Sequence, residues 1–343
     1  MFRFSLPRGP AAPRAAPRIR LGGLLALALV LVAGGFASPA RAAPPPRVEA
    51  SILPLQSLAA GVMAGVAAPG VIVPPGASPH SYALRPSEAR RIARADLIFW
   101  IGKSGEPFLE KTLSSLMKPE RAIALIGLDG LRRLRARKPG AWRKTQPATA
   151  GDRLSPAPGS VDSGDSGDSG EIDPHVWLDP TNARVIARAM AAALARVDPG
   201  RAATYARNAA ALDARLVALD REIAARLAPV AGMAYAVYHD AFQYFEARYG
   251  LAPLGALIAS PDQRPGARRT AALRKEIARA GARCLFVEPR VSPALLAPVI
   301  SGTGARLAVL DPLGFELAPG PGAYEALLRD LAEALRGCLL GAK

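Results

Sequence analysis

The chain has 343 residues, half of them hydrophobic, enough for two domains of ordinary size with real cores. Its formal charge of +16 raises nucleic acid or an anionic surface as partners. No zinc finger, helix-turn-helix or aromatic-basic RNA motif is present, and the arginines are scattered through Ala-rich helical stretches, so nucleic acid is set aside.

Residues 1–42 read as a cleavable export signal. Arg8, Arg14, Arg18 and Arg20 precede an uncharged apolar run over 21–36, and Ala40-Arg41-Ala42 has the small-x-small pattern of a cleavage site. The apolar run is shorter than the roughly 20 residues a membrane span needs. No cysteine lies near the cleavage point, so no lipid anchor is expected. Removing the segment takes away six arginines and no acid, leaving +10.

The first half, 43–197, alternates strand and helix patterns. Short β-branched or aromatic runs at 48–52, 71–73, 97–101 and 122–126 predict strands, with helices over 54–67, 87–95 and 105–116. Residues 129–172 break the pattern. Basic Arg132 to Lys138, Pro/Gly spacers and then Asp162-Ser163-Gly164-Asp165-Ser166-Gly167-Asp168 predict a disordered insertion loop, too poor in apolar surface to order itself. A helix is expected to start near Thr181.

Residues 198–229 predict one long helix, with Asp198 as N-cap, Pro199 at the first position and Pro229 as the stop. About 28 helical residues would span about 42 Å, a stiff strut that resists clamshell closure. From 230 the alternation resumes, with strands at 234–238, 252–258, 284–287 and 306–310 and helices over 241–249, 267–280 and 293–303. The fold class is therefore α/β, two lobes each with a small parallel sheet flanked by helices, joined by one rigid linker helix. Cys284 and Cys338 are the whole thiol inventory, and an even count in an exported protein reads as a disulfide, here fastening the C-terminal helix to a strand.

Only three histidines occur: His80, His175 and His239. In open α/β sheets ligands bind beyond the carboxyl ends of the strands. His80 lies in the loop after one predicted strand, His239 follows another directly, and Asp311 follows a third; His175 precedes the helix near Thr181. All three histidines avoid helix interiors and sit where two lobes would face each other. Three neutral imidazoles make a zinc site, with Asp311 or water as the fourth ligand. The same set could serve a hydrolytic zinc enzyme with Glu106, Glu288 or Asp240 as base. No H-E-x-x-H helix, G-x-S-x-G elbow or phosphate-binding G-x-x-x-x-G-K-[ST] loop is present, so no catalytic role is assigned.

Gly76-Ala77-Ser78-Pro79-His80-Ser81-Tyr82, Arg85-Pro86-Ser87, Asp173-Pro174-His175-Val176-Trp177-Leu178-Asp179-Pro180, Tyr238-His239-Asp240-Ala241-Phe242, Phe286-Val287-Glu288-Pro289 and Leu310-Asp311-Pro312-Leu313-Gly314 together resemble the metal-binding receptors of bacterial ABC importers. The likeness spans nearly all of 47–340 and is strongest to the periplasmic zinc-binding component of high-affinity zinc import. It implies two α/β lobes on a rigid helix, capture of Zn(II) by His80, His175 and His239, a monomer in the periplasm, and delivery to an inner-membrane permease and its ATPase. It implies the Cys284–Cys338 disulfide, and Asp311 matches an aspartate that completes the site in many relatives. Manganese and iron receptors of the superfamily, the alternative reading, generally have Glu where His239 stands, and nitrogen suits zinc better. A zinc hydrolase and an adhesin are more distant alternatives. Two departures stand out: Pro79 replaces the Glu some zinc receptors carry before the first ligand, and the insertion has no histidine. The tight site is therefore expected to be independent of the insertion.

Overall fold

The computed structural model describes Gly9 and residues 43–142, 161–162, 168–261, 263–289 and 291–341. The export signal expected over 1–42 thus lies outside the described residues, as does most of 143–167. Pro45–Lys343 pack as one unit, distinct from Met1–Pro44.

In the first lobe, β1 (Val48–Ala50), β2 (Gly70–Val71), β3 (Leu97–Trp100) and β4 (Ala122–Ala124) form an all-parallel sheet in the order β2-β1-β3-β4. Between them run α1 (Leu53–Val62), α2 (Pro86–Arg94) and α3 (Pro107–Leu116). The strand expected over 122–126 ends early, in a 3-10 turn at Leu125–Gly127. Every side chain of β3 is buried, and they alternate: Leu97 and Phe99 join one core, Ile98 and Trp100 another. A parallel strand covered on both faces has this continuous apolar run.

The segment expected to be a structureless insertion is ordered at its base. β5 (Arg133–Arg137) pairs antiparallel with β8 (Asp168–Ile172) and parallel with β7 (Val161–Asp162), while β6 (Gly140–Ala141) follows β5 directly. Composition misled because tertiary partners supply what the segment lacks. Leu131 and Leu134 are buried in the main core, and the Leu134 N–H donates to the Tyr244 hydroxyl at 2.9 Å.

α4 (Pro180–Val197) begins at Asp179, whose carboxylate accepts the Thr181 N–H at 2.8 Å. The joining helix, α5 (Ala202–Leu227), is flanked by 3-10 turns at Pro199–Arg201 and Ala228–Val230. Tyr205, Ala209, Leu212, Leu216, Leu219, Ile223 and Leu227 are its buried stripe, at helical three- and four-residue spacing. Burial of each Leu or Ile contributes about 2 kcal/mol. Asp198 does not act as the expected side-chain cap; its carboxylate accepts from the Tyr205 hydroxyl at 2.6 Å instead.

The second lobe contains β9 (Ala234–His239), β10 (Ala252–Ile258), β11 (Cys284–Val287) and β12 (Arg306–Val309), all parallel to their neighbours among these four, with α6 (Gln243–Tyr249), α7 (Ala267–Ala280) and α8 (Pro293–Ile300) between them and α9 (Ala323–Leu340) last. β6 adds to β10 antiparallel, so this sheet runs β12-β11-β9-β10-β6 and takes its fifth strand from the first lobe's chain. Tyr235, Val237, Cys284 and Phe286 face a core shared with α1, α4, α5 and α9. Ala236, Tyr238, Leu285 and Val287 face the outer core beneath α7 and α8. Cys284 and Cys338 form a disulfide, with sulfurs 2.02 Å apart, tying β11 to α9. Among the described residues no helix is long and apolar enough to cross a membrane.

Candidate metal centre

His80 sits in a loop built by its neighbours. Pro75 and Gly76 are the central residues of a turn closed by the Ala77 N–H on the Pro74 carbonyl at 3.1 Å, with Gly76 at φ +91°, a conformation that favours glycine. Downstream, the buried Glu88 accepts from the Tyr82 hydroxyl and the Arg85 N–H, each at 2.8 Å, which folds the loop back onto α2. His175 follows Asp173-Pro174, and one carboxylate oxygen of Asp173 accepts both its backbone N–H at 2.9 Å and its ring Nδ1–H at 2.7 Å. A Cβ on Gly105 would lie 3.0 Å from the Pro174 Cβ, so glycine admits this close approach. His239 is the last residue of β9, and strand alternation puts it on the face of Tyr235 and Val237.

These loops and strand ends bring the three imidazoles together. Ring centroids of His80, His175 and His239 are 5.5, 5.3 and 5.1 Å apart pairwise. One ligand nitrogen from each lies within 4.8 Å of the others. Tetrahedral zinc with bonds of about 2.05 Å needs nitrogens roughly 3.4 Å apart, within reach of small ring adjustments. The donor set is all nitrogen, which fits zinc.

Second partners prepare two rings. His239 Nδ1 lies 2.5 Å from Glu288 Oε1, and its Nε2 is buried with no hydrogen-bond partner. Burial opposes charge on His239, but the Glu288 carboxylate outweighs it and holds the imidazole above its ordinary range, while burial working against Glu288 is outweighed by His239. His175 is the reverse: burial, then the charge of His239, push it down to about 3, so it stays neutral. Burial drives Asp173 up to about 7, against the His175 N–H and the charge of Arg137. An imidazole that donates Nδ1–H to a carboxylate turns its Nε2 lone pair outward, the arrangement typical of metal-binding histidine.

Asp311 is not in the cluster of candidate ligands. Its oxygens accept from the backbone N–H groups of Leu313 at 2.9 Å, Gly314 at 3.1 Å and Phe315, closing a tight turn in which Gly314 has φ +75°. The other carboxylates considered as bases are also engaged. Glu106 is buried, accepts the Ile101 N–H at 2.7 Å and is pushed by burial up to about 7. Asp240 is salt-bridged to Arg137, and Glu288 serves His239. Sequence reasoning did not assign Asp173 and Glu288 as partners of the histidines. The signal for Glu288 was available: it is the first residue past β11, on the same alternating face as Cys284 and Phe286 and beside the strand that ends in His239.

A family model described as zinc-uptake complex component A, periplasmic, matches residues 48–338. The chain belongs to this family. Among the zinc-uptake relatives, the high-affinity zinc uptake system protein ZnuA of Brucella abortus is 40% identical over 317 residues, covering 89% of this chain and 95% of the relative. The periplasmic zinc binding protein TroA from Treponema pallidum shares the fold, with a TM-score of 0.67 at 20% identity over 86% of this chain and 99% of that one. So does the Zn(II)-bound ZnuA-like domain of AdcA from Streptococcus pneumoniae, with a TM-score of 0.60 at 22% identity over 85% and 99%.

Proposed function

We propose that this chain is the zinc receptor of a high-affinity import system: exported to the periplasm, it captures one Zn(II) between its lobes and delivers it to an inner-membrane ABC permease and its ATPase. The observation that carries the reading is the convergence of His80, His175 and His239, each the product of a different segment, with a buried His239 Nε2 lacking any other partner. Membership of a zinc-uptake family and the names of its relatives support zinc as cargo. The disulfide suits an oxidising compartment.

In this reading the three imidazoles are the protein ligands and water takes the fourth position, because the Asp311 carboxylate is committed to its turn. His175, neutral down to low pH, accepts metal without losing a proton; His239 gives one up. Glu288 and Asp173 orient His239 and His175, and Asp240 is paired with Arg137, so in this reading these carboxylates hold the site and the chain acts as a carrier. The all-nitrogen set disfavours manganese and iron.

Competition titration of the mature apo-protein should show one zinc per chain with submicromolar affinity, severely weakened in His239→Ala. A deletion strain should fail to grow under zinc chelation. Absence of submicromolar binding would overturn the reading, and unimpaired growth would leave a zinc-binding adhesin.

A further inference from the structure

Arg137 lies in the segment whose composition predicts disorder, yet it is largely enclosed. Its side chain is only 13% exposed, and its Asp240 and Glu246 partners 5% and 3%. Nε donates to Asp240 Oδ2 at 3.0 Å and a terminal nitrogen reaches the other Asp240 oxygen as well as Glu246 Oε2, the latter at 2.7 Å. The Tyr235 hydroxyl donates to the remaining Glu246 oxygen at 3.0 Å. The guanidinium carbon sits 3.9 Å from the centre of the Trp142 ring. Trp142 in turn donates its backbone N–H to the Leu254 carbonyl at 2.7 Å, where β6 joins the second sheet.

This assembly lies beside His239 and, through the helix that carries Glu246, beside the residue that holds His175. Asp240 is the residue after His239. Tyr244, on the same helix as Glu246, accepts the Leu134 N–H at 2.9 Å and donates to the Asp173 carbonyl at 3.0 Å, and Asp173 holds His175. Arg137 also acts electrostatically on Asp173. One cation carried on first-lobe chain is therefore the shared counter-charge of two buried carboxylates of the second lobe, at the point where the histidines of both lobes meet.

We propose that Arg137 is a positioning residue for metal capture: a clasp across the lobes that fixes His239 and His175 in register and sets how long zinc is retained. The inference rests on the zinc-site reading above. Its geometry explains why the base of the insertion is ordered while its role does not require the loop beyond Trp142. The fork of a guanidinium meets Asp240 through two nitrogens at once, which a lysine cannot reproduce. Without Arg137, Asp240 and Glu246 would be two buried carboxylates without a counter-charge, and they would rearrange beside His239.

The test measures zinc dissociation by chelator chase in the full mature chain for wild type, Arg137→Gln, Arg137→Lys and Asp240→Asn, together with the visible spectrum of the Co(II)-loaded proteins and the apo melting temperature. Arg137→Gln should release zinc about tenfold faster or more, the scale typical of residues that orient metal ligands, and shift the cobalt bands. Arg137→Lys should restore melting temperature more fully than retention, and Asp240→Asn should speed release with a smaller loss. If Arg137→Gln does not fold, Arg137→Lys decides: faster release with an altered cobalt spectrum supports the clasp, and wild-type values for both overturn it. A folded Arg137→Gln with unchanged release and spectrum, whatever its melting temperature, also overturns it. Failure of the wild-type chain to bind zinc would instead strike the zinc-site reading itself.

Discussion

Glu288→Gln removes one charge from the metal centre while keeping an acceptor for His239 Nδ1. His239 holds the Glu288 carboxyl below its ordinary range, so the acceptor is ionised and the bond is charge-assisted. A charged hydrogen bond is worth about 1 to 1.5 kcal/mol more than a neutral one, so zinc affinity near pH 8 should fall about tenfold. Glu288→Ala leaves the buried Nδ1–H with no acceptor and should cost a further 1 to 3 kcal/mol or so. The pH dependence adds an independent signature. In the wild type His239 titrates above its ordinary value, so as pH falls through that raised value zinc must displace a proton and affinity declines. In Glu288→Gln burial is opposed only by the charges of Asp240 and Asp173, the imidazole titrates lower, and the decline begins at lower pH. The two curves should converge on acidification. Competition titrations with a chromophoric chelator between pH 5.5 and 8 would measure this, at pH values chosen to bracket the ordinary histidine range of about 6.5. Equal affinities at pH 8, or parallel curves for the two proteins, would refute the claim that Glu288 tunes His239.

Asp311→Ala should leave zinc affinity within about threefold of wild type while lowering stability by about 1 to 3 kcal/mol, because three backbone N–H groups lose their acceptor; a hundredfold affinity loss would reinstate the carboxylate as a ligand. Reducing Cys284–Cys338, or replacing both by Ser, opens a loop with a sequence separation of 54 residues. On the chain-entropy model this costs about 4 kcal/mol as an upper figure, read in denaturant melts, with zinc stoichiometry unchanged. Leu216→Ala, at a fully buried position in the middle of α5, should destabilise by about 2 to 5 kcal/mol and increase hydrogen exchange along both lobes. Exchange confined to one lobe would contradict the core shared across the linker helix.

Periodicity made most of the architecture legible. The apolar runs ending at Val287 and Ile258 coincide with strands, because a buried parallel strand must be apolar on both faces. The three histidines were legible as a candidate set too, since each lies in a loop or at a strand end rather than inside a helix. The base of the insertion was not legible. Arg132 to Lys138 is basic and looks solvated, and it is the placement of Asp240 and Glu246 more than a hundred positions away that draws Arg137 largely out of solvent. For Asp311 the sequence left carboxylate and water open as the fourth ligand, and it could not show that local backbone N–H groups engage its oxygens. Glu288 and Asp173 were visible as residues without visible roles, because an orienting hydrogen bond depends on distances that strand pairing and side-chain packing set.

The sequence by itself thus determined the two-lobed α/β plan, the linker helix and which three side chains could bind a soft-to-borderline cation. The tertiary structure decided which carboxylates serve those histidines, that Asp311 closes its own turn, and that a fifth strand and one arginine cross between the lobes. The division has a physical cause. Period and composition act over a few residues and are written along the chain, whereas the pairing of buried charges is settled only when distant segments exclude water from around them.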